Sequence, residues 1–127
     1  MYFDQSYFDV CRKALEAEKA QSLAQTNNRA HVDRDKIHAG WQALYAEIAQ
    51  NLTEHTDPES AEFQGFVARH YAIITEFYVP SPQAYIGMSL FYVEDDEFRK
   101  YHESFHPLLP LLLQKGMQHF AQNGMAA

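Results

Sequence analysis

Hydrophobic positions recur at three- and four-residue spacing along most of the chain, the period of helices that bury one face. Ile37, Trp41, Leu44, Ile48 and Leu52 form one such stripe, and Asp33 before it is suited to cap the helix they predict. A second stripe passes through Phe63, Phe66, Val67, His70, Tyr71, Ile74, Phe77 and Tyr78. Thr56-Asp57-Pro58-Glu59 ahead of it sets a capping residue before a proline, so the helix is expected to open there and to run on to Tyr78. Pro80-Ser81-Pro82 breaks the chain and restarts it, with Ser81 as cap, into a helix through Tyr85, Ile86, Met88, Leu90 and Phe91. The acids Glu94 to Glu97 suit the positive end of another helix bearing Phe98, Tyr101 and Phe105. A last helix is expected from about Pro107 to Gln122, carrying Leu109, Leu113, Met117 and Phe120 and stopped by Asn123-Gly124.

The segment from Asp4 to Gln25 also favours helix, but after Val10 its apolar residues thin to Leu15 and Leu23, which leaves it little to bury. Thr26-Asn27-Asn28 interrupts it. No run of alternating β-branched residues bounded by turns is present, so the fold class is all-α, a bundle of about five to six helices. The organisation expected is a polar helical arm over residues 1–30 followed by a compact helical domain over 31–127.

Charge follows the same division. Net charge is −7, and the acidic excess lies wholly beyond residue 40. Such a surface repels phosphate backbones and anionic lipid, so direct nucleic-acid contact and membrane association are not expected. The longest apolar run, Leu108 to Leu113, is far shorter than the roughly 20 residues of a spanning helix. The amino terminus lacks the basic start and apolar stretch of a secretory signal, and a single cysteine cannot form an internal disulfide; both favour the cytoplasm.

Motifs for catalysis are missing. The chain has no glycine-rich phosphate loop, no Gly-x-Ser-x-Gly elbow and no His-Glu-x-x-His pair, so a binding module is expected and not an enzyme. Cys11 on the polar arm reads as an incidental thiol. His31, Asp35 and His38 share a helical face, and His102 and His106 stand four apart, but each set is incomplete as a metal site, and no cofactor is expected. The acidic runs lack the spacing and glycine of a calcium loop and are explained by helix capping. His70 lies among Phe66, Tyr71 and Ile74, where a polar ring needs a hydrogen-bond partner.

Aromatic content stands out. The chain has 9 Phe, 8 Tyr and 1 Trp, and most fall between Phe63 and Phe105. Large rings commonly fill cores, yet tyrosine joins flat apolar area to one hydrogen-bonding tip, which also suits a cleft for a heteroaromatic ligand.

The stretch Ala68-Arg69-His70-Tyr71-Ala72-Ile73-Ile74-Thr75-Glu76-Phe77-Tyr78, then Ser81-Pro82, then Phe91-Tyr92-Val93-Glu94-Asp95-Asp96-Glu97-Phe98, resembles the TipAS antibiotic-recognition domain of MerR-family transcriptional regulators, with Trp41 and Asp57-Pro58 similarly placed. The likeness covers roughly residues 35 to 122. It implies a globin-like helical fold with a deep cleft for bulky peptide antibiotics such as thiopeptides, and an amino-terminal part that orders on ligand capture. A polar arm with few apolar residues is compatible with that behaviour. The ligand-binding residues it suggests are Trp41, His70, Phe77, Tyr78, Tyr85, Met88, Tyr92 and Tyr101, the rings as walls and His70 or a tyrosine hydroxyl fixing orientation. The family prototype carries a cysteine just before the Ser-Pro pair that captures antibiotic covalently; Pro80 stands there in this chain. The DNA-binding part that full-length relatives carry ahead of this domain is absent from the sequence, so the chain by itself is expected to hold an antibiotic and not a promoter. Two other readings remain open: a module that takes an amphipathic helix from a partner protein, and a haem or metal protein on a globin-like frame.

Overall fold

A computed structural model describes residues 5–25 and 33–123. The polar break at Thr26-Asn27-Asn28, His31 and the stop at Gly124 lie outside them. Six helices follow one another: α1 (Gln5–Gln25), α2 (Arg34–Asn51), α3 (Ala61–Ile74), α4 (Pro82–Glu94), α5 (Asp96–Glu103) and α6 (Leu109–Asn123). The described residues contain no strand, and no helix among them is long and apolar enough to cross a membrane.

The caps follow the sequence at three of the helices. Asp33, Ser81 and Asp95 each accept a hydrogen bond from the third backbone N–H ahead, at Lys36, Ala84 and Phe98, meeting one of the orphan donors of α2, α4 and α5. Helix α3 departs from expectation at both ends. Ser60, not Thr56 or Asp57, caps it through Phe63 N, because the earlier side chains are already engaged: the Asp57 carboxylate accepts from Glu59 N at 2.8 Å and the Thr56 hydroxyl from Thr53 N at 2.8 Å. At the other end α3 stops at Ile74, and Phe77 and Tyr78 lie in the tight turn that follows, with Phe77 N donating to Ile74 O at 2.9 Å.

Helix α4 lies at the centre. Ala84, Tyr85, Ile86, Gly87, Ser89, Leu90 and Tyr92 are all buried, as expected for a helix wrapped on several sides, and exposure is confined to its ends and Phe91. It packs on α1, α5 and α6, while α3 bridges α2 and α6. Phe63, Val67, Leu109, Leu113 and Met117 fill the α3/α6 side of the core. Helices α3 and α6 come close at Gly116, where an added Cβ would stand 2.7 Å from the Phe63 ring. The Gln64 amide bridges this crossing by donating to Gly116 O and Pro58 O.

The amino-terminal helix is seated, despite its polar composition. Cys11 and Leu15 are buried against α4, and Gly87 permits the approach: a Cβ there would fall 2.4 Å from the Cys11 carbonyl oxygen. Two polar ties fix the antiparallel register. Arg12 pairs with Glu94 at 2.6 Å near one end, and the Glu18 carboxylate accepts from Ser81 N and from the Ser81 hydroxyl at the other. Ser81 therefore caps α4 with its oxygen while donating its proton to α1.

Two glycine replacements separate packing from propensity. Gly65 is exposed within α3 with open space around it, so Gly65→Ala is expected to stabilise the fold by about 1 kcal/mol in urea unfolding. Gly87→Ala gains the same propensity but drives a methyl into backbone, and is expected to destabilise by about 1–3 kcal/mol and to raise amide exchange in α1. A stabilised Gly87→Ala protein would contradict the crossing.

Candidate functional site

A partly open cleft of about 290 Å³ lies where α1, α2, α4, the start of α5 and the turn after α3 converge. Leu15 and Lys19 of α1 form one wall and Trp41 of α2 another. Ile74, Phe77 and Tyr78 enter from the end of α3 and its turn, while Met88, Phe91 and Tyr92 come from α4, with Asp95 and Phe98 at the α4/α5 junction. Its lining is overwhelmingly apolar and aromatic. Trp41 stacks on Phe77 with ring centroids 5.9 Å apart and planes 16° from parallel, and the Tyr92 ring meets Phe98 edge-on at 4.9 Å. Ending α3 at Ile74 matters here, because the turn is what brings Phe77 and Tyr78 to the cleft.

Of the residues singled out from sequence, Trp41, Phe77, Tyr78, Met88 and Tyr92 line this cleft. His70, Tyr85 and Tyr101 do not. His70 and Tyr85 lie beneath it, fully buried, and Tyr101 packs against Tyr45 and Phe105. Leu15, Lys19, Ile74, Phe91, Asp95 and Phe98 were not anticipated. Phe91 and Phe98 carried a signal, as large rings on predicted helices, whereas the contribution of α1 had none beyond a single leucine.

Under the cleft floor runs a chain of buried polar groups. His70 Nδ1 is 2.9 Å from the Tyr85 hydroxyl and Nε2 is 2.7 Å from that of Tyr92. The Tyr45 hydroxyl interacts with that of Tyr92. A neutral imidazole has one donor and one acceptor nitrogen, so His70 gives a proton to one tyrosine and takes one from the other. Both of its nitrogens are occupied within the protein, which leaves none for a ligand or a haem iron. Tyr92 is thus the link between the polar chain and the cleft: its buried ring contributes to the lining and its hydroxyl is tied to His70.

A family model of the TipAS antibiotic-recognition domain matches residues 12–120. The chain belongs to the TipAS family. No similar curated protein and no similar solved structure was found. Antibiotic recognition is the function that membership gives the domain, and the matched region includes every residue lining the cleft.

The remaining chemistry of this TipAS domain is quiet. Among the described residues no three His, Cys, Asp or Glu side chains gather as a metal cluster. His102 Nδ1 donates to Phe98 O at 2.7 Å and His106 Nδ1 accepts from Leu108 N at 3.0 Å, so the two are engaged separately by backbone. Burial pushes the Cys11 thiol up, outweighing its hydrogen bond to Tyr7, and keeps it protonated. Burial likewise holds the Tyr45, Tyr85 and Tyr92 hydroxyls protonated.

His70 is pushed down to about 3, first by burial and then by nearby His102, itself lowered by burial. The unfolded chain takes up a proton near the ordinary histidine value of about 6.5, and the folded one does not until far lower. Stability is therefore complete above about 6.5 and declines as pH falls. Between pH 7.5 and pH 5 the His70 contribution to this loss is expected to be about 2 kcal/mol in urea unfolding. His70→Gln, which lacks a titrating group, is expected to show a visibly flatter dependence; equal slopes would refute a neutral buried imidazole.

Proposed function

We propose that this TipAS domain holds a bulky amphipathic or peptide antibiotic, thiopeptide-like, in the aromatic cleft, as the effector-sensing part of a MerR-type regulator or as a drug-sequestering protein. The observation that carries the reading is the convergence of a hollow lined by Trp41, Phe77, Phe91, Tyr92 and Phe98 with membership of an antibiotic-recognition family. A volume of about 290 Å³ is at the lower end for small-molecule pockets, so it suits one heteroaromatic limb of a larger compound, with the remainder over the rim. Flat rings bury much area with little conformational entropy lost, and offset or edge contacts add to that burial. Met88 supplies a pliable contact that adapts to differing shapes.

Capture in this reading is non-covalent. Pro80 offers no nucleophile at the position where the prototype has cysteine, and the Cys11 thiol is buried and protonated at the α1/α4 crossing. Helix α1 gives Leu15 and Lys19 to the cleft, so its seat on α4 and ligand affinity are coupled: whatever stabilises one favours the other. Sequestration needs only mass action, whereas sensing requires that this coupling reach a DNA-binding part.

Trp41 is the single tryptophan of the chain and lies in the cleft wall, so it reports occupancy directly. Titration with a thiopeptide is expected to quench its emission saturably and to raise the melting temperature. Phe77→Ala is expected to weaken binding about tenfold or more through lost ring burial. An amphipathic helical peptide serves as the comparison. Stabilisation by the peptide and not by the antibiotic would replace this reading with that of a protein-interaction module.

A further inference from the structure

We propose that the part of the guest held in the cleft is an aromatic cation, a flat ring system carrying positive charge; this rests on reading the cleft as the antibiotic site. Three observations on independent features agree. The first is the lining itself. Ring faces carry the negative lobe of the aromatic quadrupole and attract a cation within about 6 Å. The guanidinium of Arg69 sits over Phe66, outside the cleft, while Phe91 and Phe98 of the lining are each 43% exposed and so accessible to a guest.

The second is Asp95. Its Oδ1 accepts from Phe98 N at 2.9 Å, which fixes the carboxylate at the rim, and it makes no salt bridge among the described residues. Its neighbours differ: Glu94 is paired with Arg12, and Asp96 with Arg99. A carboxylate held in place, without a salt-bridge partner among the described residues and beside exposed rings, is the arrangement that prefers a charged amine or an iminium-like ring nitrogen. The positive end of α5 does not reverse this preference, because Asp95, Asp96 and Glu97 already occupy it.

The third is the long-range field. With net charge −7, the domain draws cations towards it and repels anions before any contact is made. Lys19 is the one opposing charge in the lining. It stands on a long flexible stem from an exposed position of α1, so its ammonium can turn to water when a cation enters.

Three tricyclic probes of matched shape test the charge preference on the full chain, with Trp41 emission placing each at the cleft. They are proflavine, cationic at neutral pH, uncharged 9-anthracenemethanol, and anthracene-9-carboxylate. Proflavine is expected to bind on the order of tenfold more tightly than the carboxylate, with the neutral probe between and the gap shrinking at high salt. Asp95→Asn keeps the helix cap but removes the charge, and is expected to bring proflavine to within about twofold of the neutral probe. Lys19→Gln is expected to tighten proflavine. Carboxylate binding as tight as proflavine, or an unchanged proflavine affinity in Asp95→Asn, overturns the cation while leaving the aromatic cleft in place. Failure of all three probes to bind overturns the cleft reading together with it.

Discussion

The close crossing of α1 over Gly87 is the contact on which the cleft depends. Nothing larger than hydrogen fits between α4 and the Cys11 carbonyl, and only at that separation do Leu15 and Lys19 reach the hollow opposite Trp41. The helix that makes this wall is mostly polar and would be marginal in isolation, so it depends on α4 for its burial. Among the described residues its ties are the buried Cys11 and Leu15, the partly buried Tyr7 and Phe8 packed on the core, the Glu18 link to Ser81, and the half-exposed pair of Arg12 with Glu94. An exposed ion pair of that kind adds little, so the seat rests chiefly on shape and on the shared cap at Ser81.

The floor of the cleft is held by a different device. His70 and the hydroxyls of Tyr85 and Tyr92 lie in an apolar interior and satisfy one another, with the Tyr45 hydroxyl interacting with Tyr92. A buried imidazole without partners would cost several kcal/mol, whereas this one has both nitrogens engaged and fixes the angle of two rings. His70 is thereby a positioning residue. It orients the Tyr92 ring that contributes to the cleft lining, and its neutrality keeps an uncompensated charge out of the core.

Much of this was legible in the order of residues, and the exceptions have physical causes. The apolar stripes of α2 and α6, and the Ser81-Pro82 start of α4, follow directly from periodicity and capping. The start of α3 was displaced because Thr56 and Asp57 spend their oxygens on local turns, a competition that a capping pattern does not reveal. The docking of α1 was hidden since, among its described residues, only Cys11 and Leu15 are fully buried hydrophobics, with Tyr7 and Phe8 partly so, and the feature that admits it is a glycine in another helix. His70 was legible as a polar group in need of a partner, but whether that partner was a ligand or a tyrosine depended on the three-dimensional proximity of Tyr85 and Tyr92. Composition could weigh rings as core or cleft only in aggregate; the structure divides them, with Tyr85 packed within and Phe91 facing out.

The most direct test of the whole account is an intermolecular NMR map of the domain saturated with a thiopeptide. Nuclear Overhauser contacts are expected from the ligand to the Met88 methyl, the Trp41 indole and the Phe77 and Phe98 rings, with none to the small hollow beside Thr56 and Phe66. Ligand contacts confined to that hollow, or to the outer faces of α2 and α6, would contradict it.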